Sequence, residues 1–126
     1  MAKRKILIVE DEYLIAMELG LVLGKAGYEL CEPATSGEEA IERAAKEKPD
    51  FVVMDIRLKG PIDGIEAARR IGAISPARIL FATGYQDREL RQKAMALGPA
   101  AFLVKPIRVR DIDSIIQSLE PTAPGP

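Results

Sequence analysis

Five residues able to do chemistry close the apolar runs of this chain: Glu10 and Asp11 after KILIV, Asp55 after FVVM, Thr83 after RILFA, and Lys105 after AFLV. A carboxylate ending such a run costs free energy unless it meets water, a cation or hydrogen-bond donors. Glu10, Asp11 and Asp55, brought together, cannot all stay ionised without counter-charge; one pKa must rise. Lys105 supplies one positive charge. A hard divalent cation supplies two more, and Mg²⁺ in particular takes one or two carboxylates, keeps waters and leaves positions for phosphate oxygens. The Lys105 ammonium and the Thr83 hydroxyl then suit the oxygens of a phosphoryl group. A carboxylate can act as nucleophile and form an aspartyl-phosphate, and phosphoryl transfer asks the protein mainly for positioning and charge neutralisation. Asp55 is the expected phosphoacceptor. Taken singly, each residue has a plainer reading. Asp55 is a turn residue or helix N-cap, Glu10-Asp11-Glu12 favours a helix start through the dipole, Thr83-Gly84 is a turn and Lys105-Pro106 a strand end. It is their joint occurrence, each at the end of an apolar run, that points to one site.

The elements that must bring them together are legible in the hydrophobic pattern. Short apolar runs recur at residues 5–10, 28–33, 51–55, 78–83 and 101–105, with the length and β-branched content of buried strands. Stretches of helical period lie between them. Ile15, Leu19, Val22, Leu23 and Ala26 mark a first helix, read as core packing. Ala40, Ile41, Ala44 and Ala45 follow Ser36 and Glu39, a capping-box pair. Ile65, Ala68 and Ile71 mark a third helix; Leu90, Ala94 and Leu97 a fourth, stopped by Gly98-Pro99; Ile112, Ile115, Ile116 and Leu119 a fifth, and all five stripes are read as core. Strict alternation predicts a flavodoxin-like (βα)₅ fold, a five-stranded parallel sheet of order 2-1-3-4-5 with helices on both faces. In that order all strand C-termini share one edge. Strands 1, 3, 4 and 5 gather their polar ends around Asp55, while strand 2 ends at Glu32-Pro33, away from the group.

Composition narrows the alternatives. The chain has 126 residues, enough for one domain, expected over residues 1–119 with a flexible Pro/Gly-rich tail at 120–126. Hydrophobic residues make 48% and charged residues 29%, a globular balance. Lys+Arg 18 against Asp+Glu 19 leaves a net charge of −1, which gives no nucleic-acid-coating surface. The apolar stretch Ile6–Val9 behind the basic start is too short for a signal peptide or membrane span, so a soluble cytoplasmic protein with no membrane partner is expected. Cys31 is alone, which excludes an intramolecular disulfide and a cysteine zinc site; it reads as a packed small residue. With no histidine, Ser-His-Asp and Cys-His catalysis, zincin chemistry and a phosphohistidine on this chain are excluded.

From about Lys5 to Leu119 the sequence resembles the receiver domain of bacterial two-component response regulators. The resemblance rests on IVED at 8–11, VVMD at 52–55, Asp63-Gly64, FATG at 81–84 and Lys105-Pro106. It implies that Asp55 accepts a phosphoryl group from the phosphohistidine of a sensor histidine kinase or phosphotransfer protein. It also implies that Glu10, Asp11, Asp55 and the backbone carbonyl of Arg57 hold Mg²⁺. Thr83 and Lys105 then bind phosphoryl oxygens, Phe102 is an aromatic switch residue coupled to Thr83, and a cis peptide precedes Pro106. FATGY at 81–85 looks like single-domain receivers of the alphaproteobacterial general stress response, although Arg78-Ile79 replaces their usual Pro-Phe. Two further departures are Glu10 in place of the commoner Asp and a loop after Asp55, IRLKGPIDG, one residue longer than usual.

The expected function is a stand-alone receiver in a phosphorelay. Phosphorylation at Asp55 repacks the surface of the fourth helix, fifth strand and fifth helix and so controls a downstream protein. A phosphorylation-linked homodimer stays open. Arg91, Lys93, Arg108 and Arg110 lie on or near that surface, either as partner contacts or as solvated charges. Arg57 and Tyr85 flank the site as candidates for tuning the phosphoryl lifetime. The chain is expected to be a signalling domain, its only chemistry its own phosphorylation and dephosphorylation. One rival is a haloacid-dehalogenase-like phosphatase, which would need an Asp where Arg57 stands. Another is a flavodoxin-like cofactor module, whose cofactor phosphate Glu10-Asp11-Glu12 would repel unless metal intervenes. A third is a receiver fragment of a longer regulator.

Overall fold

The structure, a computed structural model, describes residues 3–84 and 86–119. Ten elements alternate: β1 (Lys5–Val9), α1 (Tyr13–Lys25), β2 (Glu29–Leu30), α2 (Gly37–Glu47), β3 (Phe51–Asp55), α3 (Gly64–Ile74), β4 (Arg78–Thr83), α4 (Arg88–Met95), β5 (Ala101–Val104) and α5 (Val109–Leu119). All strand pairs are parallel and the order is β2-β1-β3-β4-β5. This is the flavodoxin-like fold that the alternation of periods predicts.

Strand side chains alternate between faces, and the core divides accordingly. Leu7, Val9, Val52, Met54 and Phe81 meet Ala40, Ala44, Ala67, Ile71 and Ala94 of α2, α3 and α4. Ile6, Ile8, Val53, Leu80 and Leu103 meet Ala16, Leu23, Ile112 and Ile116 of α1 and α5. Every residue of the central strand β3 is buried, Asp55 included.

Helix ends follow local chemistry. The Ser36 hydroxyl accepts from the Glu39 amide at 3.1 Å, as a capping box requires. The Glu39 carboxylate, however, turns to Thr35, taking its amide at 2.7 Å and its hydroxyl at 2.9 Å. Asp63 caps α3 by accepting from the Glu66 amide at 2.8 Å. α4 ends at Met95, so Leu97, expected on its core stripe, lies beyond the helix and is exposed, as is Ala45 on α2; Gly98 has a φ of +66°, which a side chain would disfavour.

Several expectations from the sequence need correction. The second strand is only Glu29–Leu30, not residues 28–33. Pro33 carries no N–H for a ladder, and the segment after Cys31 rejoins β1 at the Val9–Ala34 bridge. In α1, Ile15, Val22 and Ala26 are exposed rather than core. The helix buries Ala16 and Leu23, with Leu19 packed beside them. Strands β1 and β5 each stop one residue early, which leaves Glu10 and Lys105 on loops just beyond the ladder.

Candidate functional site

The register sets the site. Val9 pairs with Met54, so Glu10 follows beside Asp55, and Asp55 pairs with Ala82, next to Thr83. Thr83 pairs with Val104, and the Thr83 carbonyl accepts from the Lys105 amide at 2.9 Å. Four strand ends thus deliver Glu10, Asp55, Thr83 and Lys105 to one edge of the sheet.

Asp55 is 4% exposed and its two oxygens have different partners. Oδ2 accepts from Lys105 Nζ at 2.9 Å. Oδ1 accepts from the Arg57 amide at 3.1 Å. Lys105 also lies 3.6 Å from Glu10 Oε2, so one ammonium serves two buried carboxylates. The Lys105–Pro106 peptide is cis. Thr83 is buried at the end of β4.

One positive charge does not balance this group. Burial, and then the neighbouring Asp55, push Glu10 up to about 7, against the pull of Lys105 and of the Glu12 amide. Burial alone would lower the Lys105 ammonium, but Asp55 and Glu10 outweigh it and raise it above its ordinary value. Oxygens of Glu10, Asp11 and Asp55 all lie within 4.8 Å of one another. An all-oxygen donor set with unneutralised charge fits a hard divalent cation such as Mg²⁺.

The mouth of the site is framed by contacts that the sequence did not reveal. The Arg57 guanidinium is ion-paired with Asp87, which is 4% exposed. Asp87 also accepts from the Gly84 amide at 2.7 Å. Its position just ahead of RELRQ is that of a helix N-cap, which was the one available signal. Below Asp55, the first residue of α3 touches the strand backbone. A Cβ on Gly64 would overlap the Asp55 carbonyl oxygen and stand 2.9 Å from Ile56 Cα. Asp63-Gly64 is therefore a packing device as well as a cap.

Phe102 is half-buried on β5 and stacks on Phe81, with ring centroids 5.9 Å apart at 23°. The Arg91 guanidinium lies over the Phe102 ring, 4.7 Å from its centroid, a cation–π contact. Lys93, Arg108 and Arg110 are exposed. Tyr85 and the tail 120–126 lie outside the described residues. Cys31 is buried, and burial raises its thiol to about 11, the state of an inert packed cysteine.

A cleft of about 660 Å³ opens beside Asp55 and Lys105, walled by Ile15, Leu19, Val22, Pro106 and Ile107. Around it α1 exposes Leu14 and Leu21, at 79% and 64%, an apolar face without a partner among the described residues. No described helix is long and apolar enough to cross a membrane.

Comparison with known proteins agrees with this geometry. Residues 6–117 match the response regulator receiver domain family. The transcriptional regulatory protein PdtaR of Mycobacterium tuberculosis is 40% identical over 90% of this chain, which spans 55% of that protein. The chain thus spans about half the length of the first curated relatives it matches. Sporulation initiation phosphotransferase F of Bacillus subtilis is 34% identical, covering 96% of this chain and 97% of its own length. Among solved structures, a Burkholderia pseudomallei response regulator superposes with a TM-score of 0.82 at 29% identity, over 92% of this chain and 68% of that one. That protein was crystallised with a phosphorylated aspartic acid, a calcium ion and citrate.

Proposed function

Because the chain belongs to the response regulator receiver domain family, we propose that Asp55 accepts a phosphoryl group and that the domain passes its charge state to a partner protein. The observation that carries this reading is the buried Asp55 carboxylate at the end of the central strand, 2.9 Å from Lys105 Nζ and within 4.8 Å of Glu10 and Asp11 oxygens. The calcium-bound, phosphorylated relative supports it.

In the transfer, one Asp55 oxygen attacks the phosphorus of a donor phosphohistidine. The P–N bond breaks, and the leaving imidazole nitrogen keeps that electron pair and takes a proton from solvent. Lys105, already on Asp55 Oδ2, follows the charge onto the phosphoryl oxygens. Thr83 is the hydroxyl donor at the end of β4. Glu10, Asp11, Asp55 and the Arg57 carbonyl would hold a Mg²⁺, which when bound neutralises carboxylate and phosphoryl charge. Arg57 and Tyr85 tune the phosphoryl lifetime by blocking or admitting water.

The donor is a sensor histidine kinase or phosphotransfer protein, which seats an apolar surface on the exposed side of α1 beside the cleft. The output surface is α4, β5 and α5, where Thr83 and Phe102 form the switch and Arg91 covers the ring. A relative of similar length, the sporulation phosphotransferase matched along 97% of its own chain, supports action as a module of its own; FATGY at 81–85 is what favours a stress-response receiver.

The test is the intact mass of wild type and Asp55→Asn after exposure to acetyl phosphate, with and without Mg²⁺. One phosphoryl adduct on wild type alone, dependent on metal, is expected. An equal adduct on Asp55→Asn, or none on either protein, would overturn the assignment.

A further inference from the structure

Asp87 is a buried carboxylate with no part in the chemistry above. Both its oxygens are engaged at the rim of the phosphoryl site. Oδ1 holds the Arg57 guanidinium and Oδ2 accepts from the Gly84 amide at 2.7 Å. These two donors flank the reacting group. The Arg57 amide binds Asp55 Oδ1 at 3.1 Å, and Gly84 follows Thr83 directly. Burial raises the Asp87 carboxyl, but the Gly84 amide, Arg57 and the field of Lys105 outweigh it and hold it below its ordinary value. A buried carboxylate thus sits where a backbone amide and a guanidinium converge.

We propose that Asp87 is an internal anion that stands in for the phosphoryl group in the unphosphorylated protein and is displaced when Asp55 is phosphorylated. This rests on the phosphoacceptor reading of Asp55. A phosphoryl group adds about two negative charges and strong acceptor oxygens. It competes for the Gly84 amide and Arg57, and it repels Asp87. The exchange has a mechanical consequence because Asp87 is the N-cap residue of α4. Its carbonyl accepts from the Arg91 amide at 2.8 Å, and the Arg91 side chain lies over Phe102. Release of Asp87 thus shifts the first turn of α4 and the guanidinium that covers Phe102. Signal reaches the α4–β5 surface by a route separate from Thr83.

The test compares wild type, Asp87→Ala and Asp87→Asn for affinity toward beryllium trifluoride with Mg²⁺, alongside ¹H–¹⁵N spectra of the free proteins. Removing the competitor is expected to tighten binding by about fivefold or more, with Asn, which keeps the shape and loses the charge, in between. The Arg91 and Phe102 amides of free Asp87→Ala should move toward their positions in fluoride-bound wild type. A merely structural Asp87 would give the opposite, weaker binding with no such movement, and that result overturns the proposal. If Asp87→Ala does not fold, unchanged or weaker binding by folded Asp87→Asn overturns it equally. If wild type binds and both variants match it, the latch alone fails. If wild type takes up no beryllium trifluoride, the phosphoacceptor reading fails and the latch with it.

Discussion

Gly64 lies directly against the Asp55 backbone: any Cβ on it would overlap the Asp55 carbonyl oxygen and come 3.0 Å from the carbonyl carbon. The helix that follows the long loop therefore sets the position of the phosphoacceptor strand end. Gly64→Ala should cost at least about 1–3 kcal/mol, the usual penalty of overpacking, and slow acetyl-phosphate loading. Gly72, eight positions later in the same helix, has open space around its missing Cβ. Gly72→Ala should stabilise by about 0.5–1 kcal/mol through helix propensity alone. Urea denaturation of the two variants checks the sign difference; the same sign for both would refute the contact.

Helix α1 supplies a second contrast. Val22 is 47% exposed while its neighbour Leu23 is fully buried. Leu23→Ala should lose about 2–5 kcal/mol, whereas Val22→Ala should stay within about 0.5 kcal/mol of wild type. Equal losses would restore the packing face expected from periodicity.

That contrast shows where sequence reasoning stopped. β3 was legible because FVVM is an unbroken apolar run of strand length with β-branched residues, as a strand buried on both faces needs. α3 and α5 were legible because polar residues fill their outer faces, so period selects one stripe. In YLIAMELGLVLGK the outer face is apolar too, and period cannot choose between stripes. The site was legible in the same uneven way. Chain order and strand polarity brought Glu10, Asp55, Thr83 and Lys105 to one edge. Asp87 was not legible, because its partners, Arg57 and Gly84, are assigned by loop conformation rather than by spacing along an element.

Lys105 is the cation that both Asp55 and Glu10 share. Replacing it with Met keeps the length and removes the charge-assisted bond, which is worth about 1.5–3 kcal/mol to a charged acceptor. Lys105→Met should therefore weaken beryllium trifluoride binding by about 10–100-fold, while the site keeps its affinity for Mg²⁺ or gains some, since a competing cation is gone. Titration of each with the variant checks this. Weakened Mg²⁺ binding together with unchanged fluoride binding would reverse the roles assigned to the two cations.

Glu10 gives the domain a proton-linked stability with a definite sign. Its folded value, about 7, stands above the ordinary 4.5 because burial and Asp55 disfavour its charge. Between those two values the native state keeps a proton that the unfolded chain has released, so stability falls as pH rises. The contribution is complete below about pH 4.5 and lost above about pH 7, and it amounts to the order of 3 kcal/mol. Metal reverses the slope, because the carboxylates must be deprotonated to ligate. Saturating Mg²⁺ should stabilise the protein little at pH 5 and most at pH 8. Glu10→Gln has no proton to release and should flatten the metal-free profile between pH 5 and 8 while weakening Mg²⁺ binding. Urea midpoints at the two pH values, with and without Mg²⁺, decide the matter. A metal-free wild type that gains stability from pH 5 to 8 by as much as Glu10→Gln does would mean that Glu10 is not the group under strain, and that the charge imbalance at the site is carried elsewhere.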